Sequence, residues 1–183
     1  MGTRGIMGFR VDGTDRLIYN HWDSGPSWLG GNVVKFLRGC DLDAVREQVR
    51  ALRDVGGTEP TAEDRKQFAH LTDNRVSTGA DWYALIRQTQ GDPAATLECG
   101  VFEGSNSFMA DSLFCEYAYV INLDANVFEV YRGFQDRSHS QGRYAEMEDG
   151  GSDGYKPVAL VGAFPIEDIP EDWARRAFPD EEE

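Results

Sequence analysis

The chain predicts an α+β domain: an antiparallel sheet formed by strands from both chain ends, with a helical insertion in the middle. Three observations predict it. Runs of strand formers lie near both ends. Helical periodicity fills the stretch between. The helices follow one another without intervening strands, which disfavours a doubly wound parallel fold. With 183 residues, 40% hydrophobic and 11% aromatic, the chain suits one domain with a real core. That domain is expected over residues 1–178, with the helical insertion at about 27–98, a long polar loop at 134–156 and an acidic tail at 179–183.

The first hairpin is read from Thr3 to Val11 and from Arg16 to Asp23, joined at Asp12-Gly13 and closed by Ser24-Gly25-Pro26. After Pro26-Ser27, Trp28, Leu29, Val33, Phe36 and Leu37 share a helical face, and Gly39 is a stop signal. Leu42, Val45, Val49 and Leu52 recur at three and four residues, with Asp41 as the cap. Thr61-Ala62-Glu63-Asp64 has the form of a capping box and opens a shorter helix through Phe68 and Leu71. A further helix is read from Asp81 to Gln90, ended by Gly91-Asp92-Pro93.

Strand signals then return. Glu116–Leu123 and Val127–Tyr131 flank the turn Asp124-Ala125-Asn126, with Phe128 facing opposite to Val127, Glu129 and Tyr131. Residues 134–156 are glycine-rich and polar, a mobile loop or a lid. Pro157–Phe164 is a strand too apolar for an exposed edge, and Ile166–Phe178 is a short helix anchored by Trp173.

Composition excludes several functions. Lys and Arg total 18 against 32 Asp and Glu, a formal charge of −14, so a phosphate backbone meets a repulsive average field. Cys40, Cys99 and Cys115 have neither disulfide nor zinc spacing, and a reducing cytoplasm is the expected setting. No apolar run approaches the ~20 residues of a membrane span, and no export signal opens the chain. No phosphate loop, dinucleotide fingerprint or G-x-S-x-G elbow is present.

The polar residues Arg4, Asn20, His21 and Asp23 gather around the first hairpin and form the candidate ligand site. On an extended strand His21 and Asp23 would share a face. A metal would need a third ligand that the sequence does not nominate, so no metal and no cofactor are expected.

The spacing of Thr3, Asn20 and Asp23 resembles the opening of the choloylglycine-hydrolase branch of the N-terminal nucleophile hydrolases. In that superfamily the first residue attacks, and its own α-amine, with a pKa near ~8, serves as the base. The resemblance implies Thr3 as nucleophile after trimming, with Asn20 and Asp23 supporting the amine and the oxyanion. It covers the opening hairpin alone. It departs at Gly2, which has no nucleophile, and at Tyr19 and Asn20, where the branch carries an Arg.

Thr3-Arg4-Gly5, Gly8-Phe9-Arg10, Tyr19–Ser24, Leu29-Gly30, Phe114–Ile121 and Val130–Phe134 resemble a family of small proteins of bacteriophages and their bacterial hosts. That resemblance implies context rather than a mechanism. The expected function is a non-enzymatic binding or interaction protein of phage or mobile-element type, which sequesters a small ligand or contacts a host protein. The alternatives are an N-terminal nucleophile amidohydrolase, active or degenerate, and a virion-associated structural protein.

Overall fold

A computed structural model describes residues 2–76, 81–148 and 150–181. It has the α+β architecture, with strands from both chain ends and helices between them. The central sheet has five strands: β1 (Gly5–Val11), β2 (Thr14–Asn20), β5 (Tyr117–Asn122), β6 (Val127–Arg132) and β7 (Ala159–Pro165), in the order β2-β1-β5-β6-β7. One pair departs from the expected antiparallel sheet. Strands β1 and β5 run parallel, with Gly5 opposite Tyr117 and Arg10 opposite Asn122. The reason is the insertion. A chain that leaves β2 and returns through a long helical crossover can enter the sheet in the parallel sense, which a tight hairpin cannot.

The two hairpins have local causes. Asp12 and Gly13 both have positive φ, 53° and 70°, as a two-residue turn of the primed type requires. Their backbone N–H groups donate to the Asp124 carboxylate at 2.7 and 2.8 Å, tying the β1–β2 turn to the β5–β6 turn.

The insertion carries α1 (Gly31–Gly39), α2 (Leu42–Ala51), β3 (Arg53–Asp54), α3 (Ala62–Gln67), α4 (Trp82–Leu85), α5 (Pro93–Cys99) and β4 (Val101–Phe102). The caps explain the boundaries. Asp41 accepts from the N–H groups of Asp43 and Ala44, and Thr61 with Asp64 forms the reciprocal capping box. The stretch read as one helix from Asp81 to Gln90 is α4 followed by a 3-10 turn at Arg87–Thr89. Asp92 caps α5 and Pro93 opens it, so the residues that stop one helix start the next. Strands β3 and β4 pair in parallel as a second, two-stranded sheet.

One face of the central sheet holds the main core. Met7, Phe9, Ile18, Tyr119, Ile121, Phe128 and Val130 pack against Val33, Leu37, Val45 and Val49 of α1 and α2. Helix α6 (Trp173–Ala177) closes the same face, with the Trp173 ring 5.3 Å from Phe128 and 6.2 Å from Tyr119.

The opposite face is covered by the long loop, which is pinned. Arg143 lies over this face, where its guanidinium pairs with Glu129 and, at 3.1 Å, with Asp15. Tyr144 donates to Asp15 at 2.8 Å, Tyr131 donates to Glu129 at 2.8 Å, and Asn122 donates to the other Glu129 oxygen at 2.8 Å. Burial and then the Glu129 charge push the Tyr131 hydroxyl far above its ordinary value, so it stays a donor. Burial opposes the Arg143 charge, but the hydrogen bond to Glu129 and its neighbours outweigh that, and the guanidinium stays protonated. His139 adds a second pin, its Nε2 at 2.8 Å from the Pro157 carbonyl. Asp149 of this loop lies outside the described residues.

One further expectation is corrected. Strand β7 is an edge strand despite its apolar sequence. It pairs with β6 alone and is half-buried: Val161 and Phe164 pack on the main core, Ala163 and Pro165 are exposed, and the Leu160 N–H donates to the Gln141 carbonyl of the loop. The acidic tail is anchored in part, since Glu181 accepts from the Tyr117 hydroxyl at 2.8 Å and pairs with Arg132 at 3.4 Å. Glu182 and Glu183 lie outside the described residues. Among the described residues, no helix is long and apolar enough to cross a membrane.

Candidate functional site

Strand β2 ends at Asn20, and the irregular chain beyond it builds a cleft. Asp23 takes a positive φ of 53°, so the chain turns sharply there. His21 and Asp23 are therefore not neighbours on one strand face, contrary to the sequence reading. The turn is held from within. Asn20, 6% exposed, donates from Nδ2 to the Trp22 carbonyl at 2.6 Å and to Ser24 Oγ at 2.8 Å. Ser24 donates its N–H to the Thr3 carbonyl at 3.2 Å, which ties the first residues of the chain to the turn. Pro26–Gly30 then forms a wide π-helical turn, in which Gly30 donates back to Gly25, before α1 begins.

These two irregular segments expose two tryptophans. Trp22 is 52% exposed and Trp28 is 64% exposed, whereas Trp82 and Trp173 are buried. Trp22 and Trp28 both line a cleft of about 340 Å³ with Asn20, Asp23, Leu29 and Asn32 on one side and Arg87, Gln88, Gln90 and Asp92 on the other. The far wall comes from the segment between α4 and α5.

Arg87 is the chemically distinctive member. Its Nε is buried without a hydrogen-bond partner, and its guanidinium sits 5.6 Å over the Tyr83 ring. Among the described residues it makes no ion pair. A buried donor without an acceptor costs ~1–3 kcal/mol.

Of the four residues singled out from sequence, Asn20 and Asp23 line the cleft. His21 stands behind it. Its ring meets Trp22 edge to face at 4.5 Å, and its Nδ1 lies 2.7 Å from the Tyr19 hydroxyl. Burial raises the Tyr19 pKa, so its hydroxyl stays protonated beside the ring. Arg4 is not in the cleft; its guanidinium lies 5.1 Å over the Phe114 ring. Sequence reasoning missed Trp28, Asn32 and Arg87. Trp28 was read onto the helical face of Leu29, Val33 and Leu37, but it lies in the wide turn ahead of α1 and is exposed.

Burial, then the charges of Arg4 and Arg87, hold the His21 pKa below its ordinary 6.5. A histidine whose folded pKa is lowered binds more protons when unfolded. Its stabilising contribution is therefore complete above pH 6.5 and is lost as pH falls through the folded value. Two-dimensional NMR of the ring protons is expected to show His21 titrating below 6.5, with a Trp22 indole shift following the same curve. A His21 midpoint at or above 6.5 would contradict this placement.

Two other places differ from the cleft in their chemistry. A larger depression, about 700 Å³, lies between Pro26-Ser27 and the C-terminal segment. Its polar groups are already paired: Arg175 with Asp172 at 3.1 Å, and Glu181 with Tyr117 and Arg132. The Arg143 cluster is satisfied by its own members, apart from Arg143 Nε. Among the described residues no group of three or more His, Cys, Asp or Glu side chains is arranged to hold a metal. No protein-family model, no curated protein and no solved structure matches the chain.

Proposed function

We propose that the chain is a non-enzymatic binding protein that sequesters a small polar ligand in the Trp22–Trp28 cleft. The observation that carries the reading is the pair of solvent-facing tryptophans at 52% and 64% exposure, set beside an arginine with an unsatisfied buried Nε. Leaving large apolar side chains in water forgoes ~1.5–3 kcal/mol each on folding, so stability does not explain them. Both border a concave site on which several polar groups converge.

The hydrolase alternative draws less support. Both N–H groups of the Asn20 amide are engaged, by the Trp22 carbonyl and Ser24 Oγ, so neither faces an oxyanion beside Thr3.

Thermal melts against a library of small polar metabolites test the proposal. At least one chemical class is expected to raise the Tm of the wild-type protein, and Arg87→Ala is expected to abolish that rise without lowering the Tm of the free protein. A library that stabilises neither protein, or both equally, would contradict a ligand site here.

A further inference from the structure

We infer that the chain has a second site, beside the end of β2, where Arg4 and Arg87 hold a small doubly charged oxyanion, a free phosphate or a phosphate monoester. The inference does not rest on the Trp22–Trp28 cleft. The site is built around Arg4, Tyr19 and His21, none of which lines that cleft.

The fold brings the two arginines together from distant parts of the chain. Gly5 of β1 pairs with Asn20 of β2, and Arg4 and His21 are the next residues outward on those strands. Arg87 comes from the insertion. His21 donates its N–H to Gln90 Oε1 at 3.4 Å, just past the 3-10 turn Arg87–Thr89, and the Tyr19 ring lies 6.4 Å from Tyr83 of α4.

Each guanidinium rests on a ring and not on an acid. Arg4 lies 5.1 Å over Phe114, and Arg87 lies 5.6 Å over Tyr83. Stacking occupies the flat face of a guanidinium and leaves its N–H edge open to an oxyanion. The Arg87 Nε is buried, so the contact falls to its terminal nitrogens. Glu116 accepts the Arg4 backbone N–H at 3.2 Å and makes no ion pair with its guanidinium. Asp73, which feels the Arg87 charge, is taken by Arg75 at 2.7 Å. Other arginines do have carboxylate partners, among them Arg10, Arg38, Arg50, Arg132 and Arg143. In a chain with 32 acidic and 18 basic residues, two neighbouring cations without an acid are the exception.

The local field therefore opposes the average one. After burial, the charges acting on His21 are those of Arg4 and Arg87, and no carboxylate offsets them. The same two cations act on Tyr19. An anion meets attraction here, although the chain as a whole repels it. Two guanidiniums favour a dianion over a single carboxylate, and their N–H forks match phosphate oxygens. The formal charge of −14 around the site favours a small anion over a phosphate polymer.

The test is an NMR titration of the full-length protein in phosphate-free buffer at about pH 7.5, where phosphate is mainly the dianion. The probes are inorganic phosphate and glycerol phosphate, against acetate and chloride at matched ionic strength. Saturable shifts of the His21 ring and of the arginine Nε–H signals are expected with both phosphates, weaker with acetate and absent with chloride. A bound dianion offsets the field of both arginines, so the His21 midpoint is expected to rise toward 6.5 at saturation. Arg4→Gln and Arg87→Gln are each expected to weaken binding about tenfold or more. Neither guanidinium has an acid partner to lose, and far-UV circular dichroism establishes that each variant is folded. Tighter binding of glycerol phosphate assigns the site to a monoester, and tighter binding of inorganic phosphate assigns it to the free ion. No saturable shift, an equal response to chloride, acetate bound as tightly as phosphate, or a His21 midpoint that does not rise would overturn the inference. Phosphate binding lost in Arg87→Gln but kept in Arg4→Gln would also overturn it, because that pattern places the anion in the cleft.

Discussion

Arg143→Met is expected to lower the unfolding free energy by about 3 kcal/mol, the low end of the cost of removing one partner from a buried ion pair. The low end applies because the Arg143 side chain retains 25% exposure. The loss is large because one guanidinium serves two carboxylates. Removing it leaves Glu129 with no cation and only the Tyr131 and Asn122 donors, while Asp15 keeps Arg10 at 3.0 Å and the Tyr144 hydroxyl. Arg143→Lys keeps the charge but not the fork that reaches both acids, so an intermediate loss is expected. Urea unfolding gives the magnitudes, and limited proteolysis gives the location: the 134–156 loop should become the first site of cleavage in Arg143→Met. A loss under about 1 kcal/mol, typical of an exposed pair, would show that the loop is held by something else.

Trp173→Ala is expected to cost about 3–5 kcal/mol, the range for truncating a large core aromatic. Trp173 is 6% exposed and touches both Tyr119 and Phe128, the rings at the centre of the main core. It is also the anchor of α6, a helix of five residues that is too short to persist without its tertiary contacts. Loss of the ring should therefore release α6, and with it the cover over β7. Trp173→Phe, which keeps an aromatic edge against Phe128, should lose less. Equal stability of Trp173→Ala and wild type in denaturant would contradict the packing described.

The elements with local causes were the legible ones. Alternation marks the β5–β6 hairpin, and the Asp41 and Thr61 caps mark their helices, because each signal and its partner lie within a few residues. The parallel pairing of β1 with β5 was not legible: it is decided by a crossover whose ends lie far apart in the chain, and neither strand's own pattern records its neighbour. The loop at 134–156 was misleading for another reason. Its polar residues read as solvated, yet Arg143 and Tyr144 are polar because they answer acids on the sheet. Half of the candidate site obeyed the same rule. Asn20 and Asp23 stood out beside a turn, whereas Arg87 lies far from them in the chain and only the fold brings it to the same cleft.

The central claim is that ligand meets this chain between Trp22 and Trp28. The most direct measurement is the indole N–H region of the ¹H–¹⁵N NMR spectrum, which reports each of the four tryptophans separately. On titration with small polar metabolites, the Trp22 and Trp28 signals should move together, with Asn20 and Arg87 side-chain resonances. Trp82, whose Nε1–H donates to Thr58 at 3.1 Å, and the buried Trp173 should stay fixed. Movement of Trp82 or Trp173 alone, or of no indole with any ligand class, would contradict the account.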